Sequence, residues 1–118
     1  MILFSLDVIA DSANVRQHLE YGWLRLGRSI WISGGVLALY SDHMLLTSER
    51  LFRVRHYTLP RVSITRISEK RWLLFSGELR IEHTVGSYPC PIVFYSKDIE
   101  VLQIKLQQLA FPLFTSDI

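Results

Sequence analysis

The stretch His43–Ile67, HMLLTSERLFRVRHYTLPRVSITRI, carries both the clearest architectural pattern and the densest positive charge of the chain. Apolar and polar residues alternate on either side of Ser48-Glu49, which predicts a hairpin of His43–Thr47 with Leu51–His56. Leu59-Pro60 interrupts the pattern and Arg61–Ile67 resumes it as a third strand. With His56 set opposite Val62, Val54 meets Ile64 on one face, while Arg53, Arg55 and Tyr57 share the other with Thr65, Ser63 and Arg61. A half-buried antiparallel pair has such an inside and outside. In this register the outer face is basic.

The charge is concentrated around the same stretch. Arg50–Arg71 holds seven of the thirteen basic residues and one acid, Glu69, so the window carries +6 within a chain of net charge +2. Such a patch acts locally, because exposed charges interact strongly only within a Debye length of about 8–10 Å. The most frequent role of a charged strand face is solvation of the sheet.

At 118 residues, 49% apolar and 20% charged, the chain is expected to fold as one domain with its own core. Its single cysteine, Cys90, excludes an internal disulfide and suits a reducing, cytoplasmic setting. Met1–Ala10 is apolar but lacks a basic n-region and contains Asp7, so it does not read as a leader. The longest later apolar run, Ser29–Tyr40, is 12 residues, short of the roughly 20 that a helix needs to cross a bilayer.

Working outward, Asp11, Ser12 and Asn14 precede Val15, Leu19, Trp23 and Leu26 at helical spacing, which predicts a helix over Ser12–Leu26 ended by Gly27. Ile30–Ser33 and Val36–Tyr40 flank Gly34-Gly35, a bulge in one long strand or a tight turn. Downstream, Arg71–Phe75 reads as a short apolar strand. Glu78–Thr84 follows, with Leu79, Ile81 and His83 inward. Tyr88–Tyr95 is placed at a sheet edge, at least in its first half, by Pro89 and Pro91. Ser96–Ala110 is an amphipathic helix burying Ile99, Leu102, Leu106 and Leu109, widened by Val101 and Ile104 and stopped by Pro112.

Hairpins followed by one C-terminal helix resemble the pleckstrin-homology (PH) superfold, in particular bacterial PH-like and GRAM-like domains. GGVLALYSDHMLLTSERLFRV is similar to the family's hydrophobic strand and L-x-L-T-x-x-R-L hairpin, at Leu45, Leu46, Thr47, Glu49, Arg50 and Leu51. YTLPRVSITRI is similar to the next strand, at Leu59, Pro60, Ile64 and Ile67, and GELRIEHTVGSYPCPIVFYS to the final hairpin. The resemblance covers about residues 29–110. It implies a mainly β chain of the α+β class: a seven-stranded antiparallel barrel or sandwich capped by the helix, at 29–118. Residues 1–28 are then an N-terminal arm and extra helix packed on it.

The resemblance also implies binding and not catalysis, with no cofactor and no small-molecule substrate. Protein–protein contact, including self-association through the N-terminal segment or a sheet edge, is the expected function. The alternative is peripheral binding of an acidic phospholipid surface. Phosphoinositide-binding members carry basic residues across their first hairpin; here Arg50, Arg53 and Arg55 have a similar spacing one strand later, without a leading lysine. The candidate surface is Arg53, Arg55, Arg61, Arg66, Lys70, Arg71 and Trp72. Basic residues beside Trp72-Leu73-Leu74 suit an interfacial anchor, and as a strand the same residues fill a core. Nucleic acid is disfavoured, because aromatic residues do not interleave with the arginines as a stacking platform needs. His18, His43, His56 and His83 have no metal-ligand spacing, and no nucleophile elbow or Gly-rich phosphate loop occurs.

Overall fold

A computed structural model describes residues 15–50, 53–73 and 75–115. The described residues are mainly β. Seven antiparallel strands run β1 (His18–Leu26), β2 (Ile32–Leu39), β3 (His43–Arg50), β4 (Arg53–Pro60), β5 (Ile64–Arg71), β6 (Gly77–His83) and β7 (Ile92–Ser96). One helix, α1 (Ile99–Gln108), and a short strand, β8 (Leu113–Thr115), follow. The strand order is β4-β3-β2-β1-β7-β6-β5-β8, with β8 parallel to β5. The sheet curls into a half-barrel: Tyr57 on outermost β4 stacks edge-on against Tyr88 between β6 and β7, at 5.2 Å. The Arg61 guanidinium donates to the Leu109 carbonyl beyond α1 at 3.1 Å.

The concave face is the core. Leu24, Leu37, Leu39, Met44, Leu46, Leu59, Ile67, Leu79, Ile81, Ile92 and Phe94 are fully buried there with Ile99, Leu102 and Leu106 of α1. The alternation expected of Glu78–Thr84 is present in β6, where Leu79, Ile81 and His83 are buried. Gly34-Gly35 lies inside one strand. Gly34 is the extra residue where the β1–β2 register steps from Gly22↔Gly35 to Trp23↔Ser33, and its φ of +76° suits glycine.

Several expectations are overturned. The helix expected over Ser12–Leu26 is strand β1 from His18 onward; Ser12–Asn14 lie outside the described residues. Pairing with β2 on one side and β7 on the other outweighs helical spacing. Gly22 belongs to that packing, since a Cβ there would lie 1.9 Å from the Tyr95 carbonyl oxygen. The boundary expected at residue 28 thus falls between β1 and β2, and β1 stands within the sheet. The β3–β4 turn is not at Ser48-Glu49, because the ladder continues to Arg50↔Arg53. Leu51 and Phe52 lie outside the described residues.

Arg61–Ile67 does not pair with β4. Arg61–Ser63 form a 3-10 turn closed by Ser63 Oγ donating to the Pro60 carbonyl, and β5 then pairs with β6 and β8. Arg71–Phe75 is not a strand, since Trp72 N–H donates to the Ser76 carbonyl and turns β5 into β6. Trp72, Leu73 and Phe75 stay out of the core, at 49%, 79% and 60% exposed, and Leu74 lies outside the described residues. Tyr88–Tyr95 is not an edge. Only Ile92–Ser96 is strand, held between β1 and β6, and Pro89 and Pro91 precede it where no ladder N–H is needed.

The final helix is shorter than expected, and Val101 and Ile104 are exposed. It ends before Pro112. Phe111 N–H donates to the Leu106 carbonyl and Ala110 N–H to that of Gln107, with Ala110 at φ +59°, a Schellman arrangement.

Candidate binding site at the open end of the sheet

Residues two apart on a strand share a face. On β4, Tyr57 and Leu59 are buried in the concave face, so Arg53 and Arg55 stand on that same face, further along the strand. The expected outward basic face is therefore inverted: Val54, expected inside, is 55% exposed on the convex side. A one-residue change of register moves every side chain across the sheet. The cause lies on β3, where Met44↔Leu59 and Leu46↔Tyr57 pair two buried rows.

The arginines line a cavity of about 570 Å³ at the open end of the half-barrel. Leu26, Ile32, Tyr57 and Pro89 form its apolar walls, and Ser29, Ser48, Arg53 and Arg55 its polar ones. Buried Ser48 is directly opposite Arg55. The strand rise sets the two arginine Cα atoms roughly 6.6 Å apart, close enough for both guanidinium groups to reach one anionic group. Among the described residues neither arginine has an acidic partner; Glu49 pairs with Val54 and faces the convex side. Pro89 is fixed by His83, which is buried. The His83 Nδ1 accepts from Val85 N–H at 3.0 Å, so Nε2 carries the proton and donates to the Pro89 carbonyl at 2.7 Å.

The other candidates are elsewhere. Arg61 is committed to Leu109. Arg66 and Lys70 are exposed on β5 opposite Glu82 and Glu78. Arg71 donates to Glu69 at 2.6 Å, to Glu100 at 2.9 Å and to Gln103 at 3.1 Å, tying β5 to α1. Its hydrogen bonds to Glu100 and then to Glu69 hold its pKa above the ordinary arginine value. Trp72 lies on the convex face, 4.8 Å from Tyr95 and 6.0 Å from Trp31, and its indole N–H donates to Glu78. Only Arg53 and Arg55 are brought together at the cavity.

Two features are absent from the sequence reading. Trp31, Trp72 and Tyr95, with the Arg25 guanidinium 5.2 Å over the Trp31 ring, form an aromatic layer on the convex face. Reading His18–Leu26 as a strand would have shown Tyr21, Trp23 and Arg25 on one side. Within the concave face, Glu20 binds His18 Nε2 and accepts from Ser96 Oγ, both at 2.9 Å. This grouping has the residue types of a nucleophile relay in an unproductive order, because the carboxylate stands between the hydroxyl and the imidazole. Ser96 Oγ also accepts from Asp98 N–H at 3.0 Å, which anchors the start of α1. Among the described residues no helix is long and apolar enough to cross a membrane. Comparison with protein families, with curated proteins and with solved structures gives no match to this chain.

Proposed function

We propose that this chain is a non-enzymatic binding module of PH-like architecture that acts by protein–protein contact, using the cavity mouth at Arg53 and Arg55. The observation that carries this reading is the pair of arginines on the concave face at the cavity, without acidic partners among the described residues. A charged pair at the edge of an apolar recess favours an acidic partner, which gains charge-assisted hydrogen bonds as it covers apolar surface. The PH-like part of the proposal is supported by the order of the meander, β1 to β4 and then β5 to β7, with the helix following.

Peripheral binding to an acidic phospholipid surface is a second reading, favoured by the exposed apolar tip at Leu73 and Phe75 beside Lys70. Against it, that tip belongs to β5–β6 while the arginine pair belongs to β4, and Arg71 is engaged by Glu69 and Glu100. Two measurements decide. A labelled glutamate-rich peptide is titrated against the chain and against Arg53→Ala/Arg55→Ala, and the chain is sedimented with phosphatidylcholine vesicles with and without phosphatidylserine. Salt-sensitive peptide binding that is weaker in the double variant, with no sedimentation, is expected. Sedimentation only with phosphatidylserine, lost in Leu73→Ser/Phe75→Ser, would replace protein contact by the lipid reading.

A further inference from the structure

The outermost strand, β4, has a hydrogen-bonding parity that two contacts beyond its ladder identify. Arg61 N–H donates to the Asp42 carbonyl at 2.8 Å, extending the β3–β4 pairing by one step. Thr58 N–H instead meets the Tyr88 hydroxyl at 3.4 Å. Antiparallel residues alternate between bonding to the partner strand and facing away from it. Arg53, Arg55, Tyr57 and Leu59 therefore bond to β3, and Val54, His56 and Thr58 turn their backbone groups outward. Tyr88 covers Thr58, and Pro60 has no N–H to offer. Val54 and His56 are left with no backbone partner among the described residues.

An open strand edge is a template for strand addition. The side chains specify what would add. An incoming strand places alternate side chains on the concave side, next to Arg53 and Arg55, at cross-strand distances where charge pairs count. A second copy of this chain fits poorly. A two-fold axis at Arg55 or at Val54 brings Arg55 opposite Arg55 or Arg53 opposite Arg55, and like charges directly opposite are destabilising. An axis at His56 instead sets Val54 against Thr58, whose N–H the Tyr88 hydroxyl already covers. Carboxylates at alternate positions fit both arginines. The intervening positions face exposed Val54 on the convex side.

We propose that the β4 edge takes up an extended acidic segment of a partner protein by strand addition, with alternate carboxylates paired to Arg53 and Arg55. The proposal rests on the protein-contact reading and names the form of the partner.

The test uses a labelled synthetic peptide alternating glutamate with threonine, its lysine counterpart, and amide exchange read residue by residue. The glutamate peptide should bind and the lysine peptide should not, with Val54 and His56 amides slowed in the complex. Arg53→Ala/Arg55→Ala should weaken binding by roughly two- to thirty-fold, the range for two cross-strand charge pairs. Val54→Pro removes an outward N–H while leaving the β3 ladder intact, and should abolish binding with the circular dichroism unchanged. Binding that survives Val54→Pro but is weakened in the arginine variant overturns strand addition and leaves the mouth as a contact surface for an acidic partner. Equal binding of both peptides, or of neither, overturns both readings. Should Val54→Pro unfold, slowed Val54 and His56 amides in the wild-type complex support the proposal and unchanged ones overturn it. A two-chain mass by light scattering, with those amides slow before peptide is added, would assign the edge to a second copy and overturn it as well.

Discussion

Arg71 on β5 and Glu100 on α1 are joined by a 2.9 Å hydrogen bond, and the same guanidinium holds the carboxylate of Glu69 at 2.6 Å. Glu69 is the buried member, its side chain 3% exposed, while that of Arg71 is 41% exposed. Arg71→Ala would strand the Glu69 carboxylate. The expected loss is about 1–2 kcal/mol, below the full cost of breaking a buried pair because Arg71 is partly solvated. Glu69→Gln/Arg71→Ala should recover part of it, and denaturant midpoints of the three proteins measure both. Because the Arg71 pKa is raised, its contribution is fully present below the unfolded value and is lost only as pH rises into strong alkali. Stability should therefore show no Arg71-linked slope near neutral pH.

At Gly22 the backbone of β1 packs tightly against β7. An added Cβ would meet the Tyr95 carbonyl oxygen at 1.9 Å and the Phe94 ring at 2.9 Å. Gly22→Ala should cost about 3 kcal/mol or more, at the upper end of overpacking, because a backbone atom cannot step aside. Gly86, with nothing within 4 Å of a built Cβ, is the control. Gly86→Ala should stay within about 0.5 kcal/mol of wild type by thermal unfolding.

The contrast at Gly22 also explains what was legible in the sequence. Val15, Leu19, Trp23 and Leu26 fit a helix as a one-dimensional pattern, and what makes His18–Leu26 a strand is its pairing with β2 and with β7, the second of which is distant in sequence. Local patterns were reliable where they were self-sufficient: the alternation of β6 and the Ile99–Leu102–Leu106 stripe. They failed where a single step of register decided the outcome. The polar pair Ser48-Glu49 looks like a turn, yet it belongs to β3, and the outward placing of Arg53 and Arg55 rests on a pairing of β4 with Arg61–Ile67 that does not form. The apolar Trp72, Leu73 and Phe75 read as core by composition, and only the Trp72–Ser76 turn closure puts them outside.

Ala110 occupies the left-handed position that ends α1, at φ +59°. A Cβ is unfavourable there and glycine is free of that penalty. Ala110→Gly should therefore stabilise the chain by about 0.5–1 kcal/mol, although glycine also loosens the unfolded chain. A lower melting temperature would contradict the Schellman geometry seen in the Phe111 and Ala110 hydrogen bonds.

Leu73 and Phe75 test the separation of the apolar tip from the core. At 79% and 60% exposed, each should change stability by less than about 0.5 kcal/mol when replaced by serine. Ile81→Ala, at a fully buried site, should cost about 2–5 kcal/mol. A comparable loss in Leu73→Ser would mean that the tip packs inside the half-barrel. Chemical denaturation of the three variants makes the comparison.

Tyr88 closes the C-terminal half of the β4 edge through its hydroxyl, and the 3.4 Å separation from Thr58 N–H is long for a hydrogen bond. Tyr88→Phe keeps the ring against Tyr57 and removes only the acceptor. Its stability cost should fall below about 1 kcal/mol, the usual net worth of one such bond. The informative readout is exchange at single amides. Thr58 should exchange faster in Tyr88→Phe, while Tyr57 and Leu59, bonded to β3, should not change. Faster exchange at all three positions would mean that the whole strand frays, and the outward assignment of Val54 and His56 would lose its basis. Acceleration confined to Thr58 would lengthen the open edge from two outward positions to three. In that case the glutamate–threonine peptide should bind Tyr88→Phe more tightly than wild type, because one more backbone pair becomes available to the added strand.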